Sequence, residues 1–129
     1  MRTCIIEEFY IKLHKLFLVI VMIQKNFSCP VDVALKFIGG KYKSIILYHL
    51  LQKTLRFSQL QKLIPQATQK VLTQQLRELE SDGIIHREVY PVVPPKVEYS
   101  ITEFGKKFSP IIYAMSEFGK DFLKNNVKE

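Results

Sequence analysis

Residues 58–83 read SQLQKLIPQATQKVLTQQLRELESDG, and this stretch decides the fold. Pro65 ends a short helical pattern, and Thr68 is suited to cap a longer one that closes at Gly83. Two helices joined by so short a turn are typical of a helix-turn-helix. The stretch therefore predicts helices over residues 58–63 and 68–81.

The shorter helix begins with a capping signal. Ser58 and Gln61 have the spacing of a capping box, in which the serine oxygen accepts from the Gln61 amide and the Gln61 side chain reaches back. We expect this pair to start the helix.

The longer helix has two contrasting faces. Its buried face would carry Val71, Leu72, Leu76 and Leu79. The opposite face carries Gln69, Lys70, Thr73, Gln74 and Arg77. Glutamine can bond adenine, arginine or lysine can bond guanine, and threonine can touch a thymine methyl. This face predicts a DNA recognition helix, with an ordinary solvated surface as the alternative; Glu78 and Glu80 come only in its last turns.

Two strand patterns follow the helices. Residues 84–90 and 96–101 are rich in strand-forming residues, and Val97, Tyr99 and Ile101 alternate with polar residues. Three prolines in residues 91–95 stiffen the connection. A helix-turn-helix followed by a hairpin gives a mainly α fold with a small β-hairpin, the winged helix-turn-helix.

The segment before the helix-turn-helix carries two further helical patterns. Pro30 suits a first helical position, which makes Cys29 the N-cap of a helix that stops at Gly39 and Gly40. A second helix is predicted over residues 43–52, followed by a short extended piece at 55–57.

The final helix should begin at Thr102 and bend at Pro110. Its apolar residues recur at spacings of four and three from Phe104 onward. Part of this seam covers the core, and the rest would be exposed in a monomer, which is typical of an interface. The predicted homodimer contacts are Phe108, Ile111, Met115, Phe118 and Phe122.

Residues 1–28 form a separate amphipathic segment ahead of a domain at 29–125. Its apolar seam is Phe9, Leu13, Leu16, Ile20, Ile23 and Phe27. Met22 is a second suitable start, so residues 1–21 are either an added dimerisation helix or an over-extended reading of the gene. Both readings stay open from the sequence.

The charge pattern favours a polyanionic partner. The net charge is +7, and no carboxylate separates Asp32 from Glu78. A solvated basic surface is the alternative. The candidate DNA-contacting residues are Lys41, Lys43, Arg56, Ser58, Thr68, Gln69, Lys70, Thr73, Gln74, Arg77, Arg87 and Lys96.

Other function classes find little support in the sequence. The run LFLVIVMI at residues 16–23 falls short of the roughly 20 residues that span a bilayer. The two cysteines and three histidines show no metal-ligand spacing, and there is no glycine-rich phosphate loop. We expect a cytoplasmic protein without metal, cofactor, membrane partner or enzymatic activity.

Nine segments of the chain resemble the HxlR family of bacterial transcriptional regulators. They are CPV (29–31), IGGKYK (38–43), RF (56–57), LIP (63–65), QKVLTQQLREL (69–79), DG (82–83), HREVYP (86–91), VPPKVEY (93–99) and TEFG (102–105). The similarity covers residues 29–122, with Tyr42 where the family usually has tryptophan. It implies a dimeric repressor or activator with helix 68–81 in the major groove and the wing, 90–97, at the backbone or minor groove.

The resemblance also draws attention to Cys29, because some family members use the matching cysteine to sense quinones, aldehydes or oxidants. An N-cap position and the nearby Lys25 would favour the thiolate. We expect either a thiol switch driven by a small electrophile or oxidant, or an inert cysteine.

Two functions compete. The first is a transcriptional regulator, expected to be a repressor, that binds (pseudo)palindromic double-stranded DNA sequence-specifically. The alternative is a winged-helix protein-interaction module without sequence-specific DNA binding.

Overall fold

The computed structural model describes residues 8–18, 20 and 29–126. The chain divides into two compact units, Met1–Lys36 and Phe37–Glu129. In the first unit, residues 8–18 (α1) and residue 20 are helical. The helix α2 begins in this unit at Pro30 and ends at Ile38, two residues past the unit's last residue, Lys36. The remaining residues of the predicted helix 1–28, including Ile23 and Phe27, lie outside the described residues.

The N-terminal helical segment exposes its apolar side chains, and α2 begins at Pro30, where the sequence predicted. Phe9, Leu13, Leu16 and Ile20 in the N-terminal segment are all exposed. At the start of α2, the Asp32 amide donates to the Cys29 carbonyl oxygen at 3.0 Å.

The second unit contains the helix-turn-helix and the wing. After α2, its elements are α3 (Lys43–Leu50), β1 (Leu55–Arg56), α4 (Phe57–Leu63), α5 (Gln69–Ser81), β2 (Ile85–Tyr90), β3 (Lys96–Ile101), α6 (Glu103–Lys106) and α7 (Ser109–Asn126). The three strands form one antiparallel sheet in the order β1-β3-β2. Helix-turn-helix and hairpin therefore follow one another as the sequence predicted.

The boundaries of α5 follow local signals. Thr68 Oγ1 accepts a hydrogen bond from the Val71 amide at 3.2 Å, so the threonine caps the helix. At the other end, Gly83 adopts φ +75°, a left-handed conformation that glycine tolerates without steric cost. Both predictions for this helix are confirmed.

The predicted capping box of α4 is wrong. The helix begins at Phe57, with Arg56 in the N-cap position, and Gln59 Oε1 accepts from the Arg56 amide at 2.9 Å. The reciprocal glutamine is therefore Gln59, not Gln61. The strand pairing of Leu55 and Arg56 with β3 fixes where the extended chain must turn into helix.

The predicted single C-terminal helix is also wrong. Thr102 Oγ1 accepts from the Gly105 amide at 3.0 Å and caps α6, which ends at Lys106. The chain turns at residues 107–108 and starts again as α7. Pro110 therefore lies in the first turn of a new helix. Backbone N–H groups in a first turn have no intrahelical acceptor, so the N–H that proline lacks costs no hydrogen bond there.

The hydrophobic core joins α3, α4, α5 and the sheet. Ile46, Leu47, Leu60, Leu72 and Leu79 have no exposed surface. On β3, the middle strand of the sheet, Tyr99 is buried while its neighbours are only half-buried. This core fixes which face of α5 points away from the protein.

Candidate nucleic-acid interface

The outward face of α5 lines an open groove. The structure brings together the five residues predicted for the DNA-facing side of this helix. Glu78 and Ser81 also line the groove and were not among the predicted DNA contacts. The lining residues are Gln69, Lys70, Thr73, Gln74, Arg77, Glu78 and Ser81. The groove is therefore rich in amides, hydroxyls and cations, with one carboxylate.

Thr73 has a defined role in this groove. Its hydroxyl donates to the Gln69 carbonyl oxygen at 2.7 Å, one helical turn earlier. Because the single hydroxyl proton is used inside the helix, Thr73 offers the groove a methyl group and acceptor lone pairs.

Lys43 is buried at the start of α3. Its side chain is only 9% exposed, and its Nζ lies 2.7 Å from Glu78 Oε2. The hydrogen bond from Lys43 is the largest cause of a lowered pKa at Glu78, and partial burial of the carboxyl opposes it. Lys43 was predicted as a DNA contact from its charge, but its ammonium is paired with a carboxylate of α5 and only 9% of the side chain is exposed.

A second contact holds α5 against the turn before α3. Gln75 Oε1 accepts from the Tyr42 amide at 3.3 Å, and Tyr42 donates its phenol to the Gln66 carbonyl oxygen at 3.2 Å. A Cβ on Gly40 would collide with the Gln75 side-chain amide. Gln75 was not among the residues predicted from the sequence, and the available signal was Gly40, two residues before Tyr42.

The wing carries compensated charges. Lys96 Nζ lies 2.9 Å from Glu98 Oε1 and 5.0 Å from the centre of the Tyr90 ring. Arg56 pairs with Glu98 in the sheet register, and Lys96 is the main cause of a lowered pKa at Glu98. The exposed Arg87 pairs in register with Tyr99 instead. Lys96 thus has an ion-pair partner on its own strand, whereas Arg87 forms no ion pair with any of the described residues.

The other predicted contacts lie around α4 and α5. Lys41, Arg56, Ser58 and Thr68 are exposed. The Lys41 ammonium lies 5.3 Å from the centre of the Tyr42 ring, and Thr68 uses its oxygen to cap α5.

The predicted dimer seam separates into buried and exposed parts. Phe108 is buried and packs edge-to-face on Phe37 and Phe104 of its own chain. On α7, Ile112 faces the core, while Ile111, Met115, Phe118 and Phe122 are exposed. The exposed apolar stripe therefore starts at Ile111.

Cys29, the predicted redox residue, is a free, exposed cysteine. Among residues 8–18, 20 and 29–126, no three histidine, cysteine or acidic side chains cluster in a way that could hold a metal ion. Within the same part of the chain, no helix is long and apolar enough to span a membrane.

Comparison with known proteins identifies the family. A family model described as HxlR-like helix-turn-helix matches residues 37–127. An uncharacterised HTH-type transcriptional regulator of Bacillus subtilis, YdeP, is 56% identical over 95 residues, which cover 74% of each chain.

Two solved structures are similar in sequence and fold. The oxidised form of the redox regulator HypR is 54% identical, with a TM-score of 0.70, over 72% of this chain and 96% of that one. Diamide-treated YodB from B. subtilis is 31% identical, with a TM-score of 0.61, over 75% of this chain and 97% of that one. The chain therefore belongs to the HxlR-like helix-turn-helix family and is a winged-helix transcriptional regulator.

Proposed function

We propose that this chain is a repressor that binds a (pseudo)palindromic DNA duplex sequence-specifically as a homodimer. The observation that carries the proposal is the α5 groove, where Gln69, Thr73 and Arg77 follow one another at one-turn intervals. These groups match base edges in the major groove. The capped start of α5 and its buried apolar face hold them outward.

The wing would approach the DNA backbone or the minor groove. Lys96 is already paired with Glu98, so we assign the main cationic contact of the wing to Arg87. Outside the groove, Lys41 and Arg56 are exposed cations suited to phosphate.

The homodimer rests on the apolar stripe of α7. Ile111, Met115, Phe118 and Phe122 follow at spacings of four, three and four, and Phe118 is 72% exposed. Exposed apolar patches of this kind usually mark protein interfaces. A symmetric dimer would place two α5 helices on half-sites about one helical turn, or a multiple of it, apart.

Gel-shift titration tests the recognition helix. On duplex DNA from upstream of the protein's own gene, Gln69→Ala and Arg77→Ala should each weaken binding by roughly 5- to 150-fold, the cost of a lost base contact. Lys106→Ala on α6 removes an exposed cation elsewhere and is the matched control, expected to bind like the parent.

Equal binding by the parent and both α5 variants would contradict the recognition-helix assignment. A parent without preference for any duplex sequence would instead favour the protein-interaction module. Footprinting of the bound DNA measures the half-site spacing that the dimer requires.

We further propose that Cys29 gates DNA binding, since it is free and exposed at the start of α2. The resemblance to redox regulators supports this proposal. With diamide, two Cys29 thiols would form one disulfide across the dimer, and their two electrons and two protons would reduce the N=N bond to a hydrazine. With a quinone, the thiolate would instead add to the ring.

Diamide treatment of Cys29→Ser tests the switch. The parent should lose at least about tenfold in DNA affinity, within the usual range of allosteric coupling, whereas Cys29→Ser should keep its affinity. Cys4→Ser is the matched control and should respond like the parent. If Cys29→Ser still released DNA on oxidation, the thiol switch would be refuted.

A further inference from the structure

The ion pair between Lys43 and Glu78 connects the core to the recognition groove. Lys43 is buried on α3, whereas the Glu78 side chain is 43% exposed and lines the groove. A buried ammonium needs a partner, so Lys43 holds the Glu78 carboxylate in one place. The carboxylate is therefore a fixed acceptor at the edge of the α5 surface.

Gln74 lies one helical turn before Glu78 on the same face. Both side chains line the groove, and residues four apart on a helix are surface neighbours, so the Gln74 amide lies within reach of the Glu78 carboxylate. Gln74 also adds to the larger effect of Lys43 in lowering the pKa of Glu78. An ionised carboxylate can only accept, so a Gln74 amide that bonds to Glu78 turns its NH₂ group toward that carboxylate. That leaves the carbonyl oxygen and the second N–H of Gln74 for the groove.

We propose that Gln74, oriented by Glu78 and Lys43, is the residue that selects an A·T pair in each half-site. Adenine presents an acceptor at N7 and a donor at N6, which match the remaining N–H and carbonyl oxygen of Gln74. Guanine presents acceptors at both positions, so the fixed carbonyl oxygen would face the O6 of guanine without a proton between them. An amide free to rotate would discriminate less between the two purines.

In this arrangement Lys43 is a positioning residue and makes no contact with DNA. The inference rests on the proposed placement of α5 in the major groove. Beyond that placement, the inference states which base pair Gln74 selects and gives the buried Lys43 a role in that selection.

Selection from a randomised duplex pool tests the proposal. The parent should enrich A·T at one position of each half-site, and Gln74→Ala should lose that preference while keeping the others. Lys43→Met, similar in length but uncharged, should relax the same position by roughly tenfold, in line with the value of one bidentate base contact. Lys43→Arg, which preserves the positive charge, should restore the preference.

Salt titration separates positioning from phosphate binding. A lost phosphate contact would make the salt dependence of log affinity shallower by about 0.9. We expect Lys43→Met to leave this slope unchanged. A shallower slope with unchanged base preferences would show that Lys43 contacts phosphate and would overturn the proposal.

Glu78→Gln repeats the test with the lysine in place, in case Lys43→Met does not fold. It should let the Gln74 amide rotate and admit G·C at the A·T position. A parent that selects sequences while Gln74→Ala keeps every preference overturns this inference alone. A parent that selects no sequence overturns the proposed function as well.

Discussion

Replacing Gly105 with alanine should lower the free energy of unfolding by about 3 kcal/mol, at the upper end of the cost of overpacking. An added Cβ would collide with the Ile84 carbonyl oxygen and lie 2.7 Å from Ile101 Cγ1. That carbonyl also accepts from the Thr102 amide at 3.1 Å and lies 2.9 Å from the Thr102 hydroxyl. The carbonyl cannot move aside without breaking the junction between the hairpin and α6.

Gly119→Ala is the matched control for Gly105→Ala. Gly119 lies within α7, and an added Cβ there would have no atom within 4 Å. Alanine is the better helix former by about 1 kcal/mol, so this variant should be slightly more stable than the parent. Urea denaturation of both variants measures the difference. Equal stability of the two variants would show that the backbone around Ile84 and α6 can shift to accommodate the added methyl group, and would contradict the prediction.

Leu76→Ala should destabilise the protein by about 2–5 kcal/mol. Leu76 is 1% exposed, on the face of α5 that opposes the recognition groove. Removing its side chain leaves a cavity between α5 and the core, and the close-packed surroundings can only partly fill it. Denaturant unfolding followed by circular dichroism measures the loss.

The neighbouring Arg77 provides the control for this cavity. Arg77 is exposed on the opposite side of the same helix, so Arg77→Ala should change stability by less than about 0.5 kcal/mol. Arg77→Ala should therefore weaken DNA binding while remaining folded, whereas Leu76→Ala should lose stability. Similar unfolding midpoints for the two variants would contradict the assignment of buried and outward faces.

Local signals were enough to predict most of the recognition unit. The cap at Thr68, the left-handed Gly83 and the first-turn Pro30 each act within a few residues, so the sequence showed them directly. The polar face of α5 followed from helical periodicity once its ends were known. Five of the seven residues that line the groove could therefore be predicted.

Features that depend on contacts between distant segments could not be predicted in the same way. Ser58 and Gln61 satisfy a capping pattern, but the pairing of Leu55 and Arg56 with β3 moves the start of α4. Nothing near Lys43 in sequence shows that Glu78, on another helix, neutralises it. The apolar seam likewise continues through Phe108, and only the tertiary packing shows that this ring is covered by its own chain.

The two-residue strand β1 sets a mechanical limit on how the protein can adapt to its target. It attaches the start of α4 to β3, which is the middle strand of the sheet and one of the two strands of the wing. The helix-turn-helix is thus connected to the sheet on two sides: through β1 just before α4, and through the short link from α5 to β2. We therefore expect the helix-turn-helix and the wing to move as one rigid unit. An inserted or deleted base pair within a half-site should then strongly weaken binding. A change in the spacing between the two half-sites can instead be accommodated by a shift at the interface between the two subunits.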